Sequence, residues 1–393
     1  MRATVYAEDL KSVIERVSIV TRGKSSFPFA SSILIETDSE KKTINVSADN
    51  VTSSVRVSMT GSDVAESGEA ILDRVAVKRL FNLSGKITIY NQENNFCGKN
   101  TQKLVKIPRI MSAKQEYWPE SMTFDNKKRL LTADKNEFMN TMENMIPFTA
   151  FNESRPIYNC VNINAIQRRM SAVSGYHVLT RESMYTDKKW DYADDGEANV
   201  PAAAFKELKK IADSRTDFLT ISTLGKLVIF DGNDFRYITR GEEGTFMDVS
   251  KAIPSFAKCQ FILDVKELEK IIKEYADCIK SSVNEVPMTI MRIDDKLYSN
   301  LKTLEYETCD RISGDVGTLP NDFIKAYNPL YLKDVVEFFK KAGESRMYAE
   351  DDGSSSCPTM FSYEDYRCMI LPVRLHYGHA EHVQKAISEM FAA

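Results

Sequence analysis

The sequence predicts an α+β protein built from three copies of one domain, and two observations carry that expectation. One order of elements recurs three times at a spacing of about 130 residues: a helix, an alternating strand pair, a second helix and a further strand pair. The second helix of every copy is also rich in Lys and Arg, although the whole chain has a net charge of −4.

The first helices are EDLKSVIERVSIV from Glu8, KNEFMNTMENMI from Lys135 and VKELEKIIKEYADCI from Val265. Each repeats its apolar residues three or four positions apart, the period of a helix with one buried face. Strand-like alternation follows in ILIETD with TINVSA, in VNINA with RRMSAVSG, and in MTIMRID with KLYSNLK. The second helices are RVAVKRLFNL from Arg74, AAAFKELKKIA from Ala202 and LYLKDVVEFFKK from Leu330. Closing strand pairs are clearest in KITIYNQ and LTISTLGKLVIFDG. The pattern resets at WPESMTFDNKKR from Trp118 and at IPSFAKCQ from Ile253, both polar and Pro-bearing. The expected domains are therefore 1–126, 127–254 and 255–375, with an extra helical tail over 376–393.

Composition excludes several classes of function. A chain of 393 residues with 43% hydrophobic and 27% charged residues is that of an ordinary globular protein of several domains. No apolar run approaches the ~18–20 residues of a spanning helix, and the N-terminus lacks the pattern of a secretory signal, so no membrane partner is expected. The seven cysteines are scattered and never form a CxxC pair, which points to reduced thiols in a cytoplasm. No GxGxxG, P-loop or HExxH motif occurs, so no cofactor, metal or catalytic function is expected. His177 and Cys160 could be imagined as a nucleophile pair, but on apolar strands the cysteine reads as a small core residue. The HxxHxxH spacing of His376, His379 and His382 reads as a solvated helix rather than as a metal site.

Charge is distributed unevenly. The second helices carry Arg74, Lys78 and Arg79; Lys206, Lys209 and Lys210; and Lys333, Lys340 and Lys341. Against these nine stand only Glu207, Asp334 and Glu337, so the three helices sum to +6 and the rest of the chain to −10. For any one helix an ordinary solvated face is the plainer explanation. Three basic helices in equivalent positions suggest a surface for phosphates. A modest positive lining on an acidic body suits duplex that must slide rather than be gripped.

Five segments in order, in phase with the triple repeat, carry a family resemblance. They are FTAFNESRPIYNCVNI (Phe148–Ile163), RRMSAVSGYHVLTRE from Arg168, VPAAAFKEL (Val200–Leu208), YNPLYLKDVVEF from Tyr327 and MILPVRL (Met369–Leu375). Through them the chain, up to Leu375, resembles the beta subunit of bacterial DNA polymerase III, the DNA sliding clamp. The resemblance implies a clamp fold of three α+β domains and a head-to-tail homodimer closing into a ring around double-stranded DNA. It also implies no catalysis. Implied partners are the polymerase III catalytic subunit, the clamp loader and other clamp-binding repair proteins. The alternative reading is a diverged paralogue that serves as a peptide-binding scaffold without a replicative role.

The same resemblance implies two sets of residues. A partner-peptide cleft would be walled by Tyr158, Val173, Gly175, Tyr176, His177 and Val178, by Met247, Lys251 and Ala252, and by Val286, Asn328 and Tyr331. The run Met369, Leu371, Pro372, Val373, Arg374 and Leu375 would close it. DNA would be touched by Lys24 and Asn152 in addition to the nine basic helix residues. The chain departs from the family where Val173–Val178 replaces Thr-Asp-Gly-His-Arg-Leu and where Phe246-Met247-Asp248-Val249 lacks a Pro and a Tyr. Ala202 and Ala203 also stand where basic residues usually follow Val-Pro. The tail helix has an apolar stripe of Val383, Ala386, Ile387 and Met390. Its end, Ile387–Phe391, loosely resembles a clamp-binding peptide, so it could occupy the cleft as a tethered ligand. The plainer expectation is a short helix packed on the outer sheet, or a frayed end.

Overall fold

The computed structural model describes residues 1–21, 27–61, 63–111, 126–150, 154–183, 189–253, 258–280, 286–303 and 305–391. Lys24 and Asn152 lie outside these residues, as do 118–125 and 254–257 of the two expected linkers. The helices are α1 (Ala7–Ser18), α2 (Lys135–Met145), α3 (Ala202–Ile211), α4 (Val265–Lys280), α5 (Pro329–Lys341) and α6 (His379–Phe391). The described chain divides into two compact units, Met1–Asn140 with Ile163–Ile166 and Thr186–Glu243, and Thr141–Asn162 with Gln167–Tyr185 and Gly244–Ala393.

The first unit holds a five-stranded and a nine-stranded sheet. The five-stranded sheet runs Asp63–Glu66, Arg2–Tyr6, Lys86–Gln92, Asn95–Lys99, Leu104–Pro108, so the last of these strands is an edge. In the nine-stranded sheet, Phe235–Arg240 pairs antiparallel with Ser53–Thr60, with Tyr237 opposite Val55. Alternation puts Ile33, Ile35, Ile44, Val46, Val55 and Val57 into the core, each essentially inaccessible to solvent. Helix α1 buries Leu10, Val13, Ile14 and Val17, the stripe read from its sequence. Arg16 fixes this helix to its neighbours. Its guanidinium binds both oxygens of Asp234 at 2.7 and 2.8 Å, and its Nε donates to the Ile211 carbonyl at 2.7 Å. A cation is thereby set against the C-terminal carbonyls of α3, where the helix dipole favours it.

The basic stretch from Arg74 forms a 3-10 helix, Ala76–Asn82, and not the regular helix its period suggested. Asp73 Oδ1 accepts the Val75 and Ala76 N–H groups at 2.8 and 2.9 Å, an Asx turn that tightens the start.

The second unit contains a four-stranded sheet in the order Glu307–Ile312, Lys296–Lys302, Met288–Ile293, Ile324–Tyr327. Helix α4 lies against this sheet through Tyr275, whose hydroxyl donates to Asp310 Oδ2 at 2.9 Å. A second sheet includes, in order, Arg169–Val173, His177–Glu182, Tyr366–Ile370, Thr359–Tyr363, Arg346–Asp351 and Cys259–Asp264. Lys325 of the four-stranded sheet and Asp351 of this second sheet form a fully buried ion pair, with the ammonium 2.7 and 2.6 Å from the two carboxylate oxygens and 2.9 Å from the Cys357 carbonyl. The carboxylate is further held by the Thr359 hydroxyl and the Gly353 N–H. All polar atoms of this buried charge pair thus have partners, the condition for tolerating it in a core.

Helix α6 packs on the face of the four-stranded sheet away from α4. Val383 and Ile387 are buried with Met291 and Tyr298, against Ile293, Cys309 and Ile324. Phe391 lies 5.2 Å from Tyr298, centroid to centroid. The tethered-ligand reading of the tail is corrected accordingly, because Ile387 and Phe391 are used on this sheet. Period alone gave the apolar face of the helix, not what that face covers. Met390 is nevertheless exposed.

Candidate peptide site and basic helices

The candidate peptide site lies in the second unit and starts from one hairpin. Strands Arg169–Val173 and His177–Glu182 pair with Val173 opposite Val178, leaving Ser174, Gly175 and Tyr176 in the turn. Gly175 has φ +98°, a conformation that L side chains rarely adopt, so glycine is required there. Tyr366–Ile370 adds to the hairpin with Met369 opposite Val178 and Ile370 opposite His177. The chain beyond is then pinned on two sides: Leu371 N–H donates to the Tyr176 carbonyl and Val373 N–H to the Ala326 carbonyl, both at 2.8 Å. The C-terminal run is thereby zipped between the turn and the four-stranded sheet.

Side chains gather into two groups around this frame. The first is apolar: Val173, Val178, Phe246, Val249, Met360 and Met369, with Ile157, Tyr158, Met247, Ala252 and Ile253 half-buried against them. Tyr158 meets Phe246 edge to face, 6.5 Å between centroids. The second group is a column of four rings. Phe148 packs tilted against His177 at 4.7 Å, His177 stacks on Tyr331 at 4.7 Å, and Tyr331 on Tyr176 at 5.4 Å. The column rises from buried Phe148 to Tyr176, which is 59% exposed. His177 is locked within it: Nε2 lies 3.1 Å from Asp334 Oδ2 on α5, and Nδ1 meets the Ser174 hydroxyl.

The Ser174–His177–Asp334 line has the residue types of a nucleophile relay, but its geometry is that of a brace. Ser174 Oγ accepts the N–H groups of Tyr176 and His177 at 3.4 and 3.3 Å, the role of a turn-closing hydroxyl. The imidazole is 1% exposed between two rings, so no substrate atom reaches it. Cys160, the other imagined partner of His177, is fully buried with its Sγ 3.7 Å from the Pro156 carbonyl.

Of the residues expected in the cleft, Tyr158, Val173, Val178, Met247, Ala252 and Met369 meet in the apolar group, and Tyr176, His177 and Tyr331 in the ring column. Asn328 caps α5, its side chain accepting the Leu330 N–H at 2.9 Å. Leu371, Pro372 and Val373 lie along the zipped run, followed by exposed Arg374 and half-buried Leu375. Lys251 points to solvent, paired with Asp248 at 3.5 Å, and half-buried Val286 is in neither group. Sequence reasoning missed Ile157, Phe246, Val249, Ile253, Met360 and Asp334. The adjacent Phe246–Val249 segment was a usable signal; Met360 and Asp334 had none, since only strand pairing and α5 bring them near. The first group is a buried cluster whose accessible part is the half-buried Ile157, Tyr158, Met247, Ala252 and Ile253; with exposed Tyr176 these give aromatic and aliphatic surface of the kind that holds apolar side chains of a peptide.

The basic helices are unequal. Lys206, Lys209 and Lys210 are exposed on α3 opposite a stripe of buried Phe205, Leu208 and Ile211. Lys78 and Arg79 are exposed on the 3-10 helix, with Arg74 half-buried just before it. On α5, Lys340 is paired with Glu269 of α4 at 2.8 Å and Lys333 with Glu337 at 3.5 Å, leaving Lys341 exposed. Those ion pairs cancel part of the positive field of the third basic helix. The tail histidines face separate partners: His379 Nε2 is 3.0 Å from the Thr289 hydroxyl, and His382 Nε2 is 2.9 Å from both Glu307 and Lys302.

Comparison with known proteins bears on the fold. No protein-family model matches the sequence. The "Beta sliding clamp" of Bacillus subtilis (strain 168) is 23% identical over 215 residues, 51% of this chain and 54% of that protein, so the match spans about half of the relative. The beta subunit of the Streptococcus pyogenes DNA polymerase superposes with a TM-score of 0.83 at 14% identity, covering 95% of this chain and 100% of that one. The Helicobacter pylori beta clamp, solved bound to a DNA ligase peptide, gives a TM-score of 0.76 at 14% identity over the same shares. The chain has the α+β fold of the bacterial sliding clamps and is similar in sequence to one of them.

Proposed function

We propose that this chain is a DNA sliding clamp: three α+β domains, 1–126, 127–254 and 255–375, pair head to tail with a second copy into a ring around duplex DNA. The observation that carries this reading is the coincidence of that fold with exposed Lys206, Lys209 and Lys210 on α3 and Lys78 and Arg79 on the equivalent 3-10 helix. The ring tethers a polymerase catalytic subunit and repair proteins, is opened by a clamp loader, catalyses nothing and works in the cytoplasm. Among the described residues no helix is long and apolar enough to cross a membrane.

Two edges support the assembly. Leu104–Pro108 ends the five-stranded sheet and Glu307–Ile312 ends the four-stranded sheet. Each presents one row of backbone N–H and C=O groups, which a soluble protein normally covers. Pairing one edge with the other of a second copy satisfies both, and two such contacts close a ring.

The peptide site is read by analogy with the DNA ligase peptide on the Helicobacter pylori clamp. Apolar side chains of a partner would settle on half-buried Ile157, Tyr158, Met247 and Ala252, over the buried Val173, Val178 and Met369 and beside the Tyr176–Tyr331 stack. A diverged scaffold without DNA function is the second reading, favoured by the residues in the turn, where Tyr176 and His177 replace the family's His and Arg. Solution mass separates the two. Light scattering at micromolar concentration should give twice the 44.6 kDa chain mass. A monomer would leave only the scaffold.

A further inference from the structure

We propose that a cavity beside α6 is a docking site for a basic, partly apolar segment of another protein. This site is separate from the peptide site above and does not depend on it, since α6 begins after Leu375, where the family resemblance ends. The cavity, of about 580 Å³, opens between the N-terminal half of α6, the turn after Met288–Ile293 and the segment 321–324. That volume falls within the range of about 300–1,000 Å³ typical of ligand sites.

Two features of the lining define the occupant. The floor, as burial places it, is apolar: half-buried Ile293 and Ile324 with buried Met291, at the margin of the cluster that α6 covers. The rim carries four carboxylates, Asp294, Asp295, Asp322 and Glu381, against a single cation, Arg292. Arg292 is already engaged, its Nε donating to the Asp294 carbonyl at 2.6 Å and its NH1 to the Leu319 carbonyl. Among the described residues none of the four carboxylates is held in an ion pair. An incoming cation therefore meets acceptors that no protein group occupies.

A floor of this kind selects among cations. A metal ion would gain nothing from Met291 or the isoleucines, and among the described residues no group of three ligands is placed to hold one. Lys and Arg side chains fit both features, because their methylene stems lie on apolar surface while the charged head reaches a carboxylate. Neighbouring leucine-like side chains would fill the remaining floor. Duplex DNA is repelled by the rim.

The test uses the full chain and a short fluorescein-labelled peptide alternating leucine and arginine, read by anisotropy in about 0.1 M salt, where the Debye length is about 10 Å. Replacing Asp295→Asn, Asp322→Asn and Glu381→Gln together should weaken binding by at least about tenfold. Neutralising three exposed acids elsewhere, Glu40→Gln, Glu93→Gln and Glu364→Gln, should leave it unchanged. Gln384→Lys, which adds one cation to the lining, should weaken it as well and serves should the triple variant fold poorly. Three results would overturn the proposal: unchanged binding by both cavity variants, equal binding of a leucine–glutamate peptide, or displacement by spermine at the peptide's own concentration. The last would mean that charge alone is read, without the apolar floor.

Discussion

Removing one member of the Lys325–Asp351 pair should unfold the second unit far more readily than removing both. The ammonium and the carboxylate are each 0% exposed, and Lys325 has three acceptors, two of them on Asp351. In Asp351→Ala the ammonium keeps only the Cys357 carbonyl, and the Thr359 hydroxyl and Gly353 N–H lose their acceptor. Stranding a buried charge costs about 3–5 kcal/mol. A unit of this size loses about 2–4 °C per kcal/mol, so the melting temperature should fall by about 6–20 °C. Lys325→Met should cost somewhat less, because the remaining carboxylate keeps the Thr359 and Gly353 donors. The double variant Lys325→Met, Asp351→Leu should recover most of the loss, within about 1–2 kcal/mol of the native chain, since no charge is then left buried. Circular dichroism melts of the four proteins provide the comparison. A melt of Asp351→Ala within about 2 °C of the native chain would show that the pair is not desolvated and contradict this prediction.

Two further outcomes follow from the basic face and the tail. Lys206→Glu, Lys209→Glu and Lys210→Glu together should weaken retention on DNA while the melting temperature stays within about 2 °C, because exposed helix positions contribute little stability; a large melting shift with unchanged DNA retention would remove α3 from the DNA face. His379 is held below the ordinary histidine range by its burial, and by the neighbouring His382 and His376. Its neutral form is therefore favoured when α6 is docked, so docking is strongest above the unfolded value near 6.5 and weakens as pH falls through it. Hydrogen exchange over 379–391 should accelerate between pH 7.5 and 5.5 beyond the intrinsic change; slower or unchanged corrected exchange contradicts the assignment.

Much of the fold was legible because it follows local period. The stripes Leu10–Val13–Ile14–Val17 and Phe205–Leu208–Ile211 are buried as their spacing required. Alternation likewise marked Ile33–Asp38 and Lys296–Lys302 as strands. Helix type was harder. The segment after Arg74 has the charge of its counterparts but is closed by Asp73 into a 3-10 turn, an effect of one side chain that period does not register. The candidate site was half legible. Tyr158, Val173, Val178 and Met369 came from resemblance, and pairing between Tyr366–Ile370 and the hairpin brings them together. The His177–Asp334 contact joins residues 157 positions apart, and nothing in either local sequence announces the other. Charge was over-read at α5, where Glu269, from the preceding helix of the same repeat, neutralises Lys340.

A sliding clamp holds DNA by topology, and topological retention tests the proposed function most directly. The protein is loaded by a clamp loader onto nicked circular plasmid, separated by gel filtration in salt high enough to release simple electrostatic binders, and the plasmid is then cut once. A ring held by encirclement stays with the circle and leaves when the DNA is made linear. Protein that is lost equally from circle and line, or that never remains with the circle, would contradict the clamp.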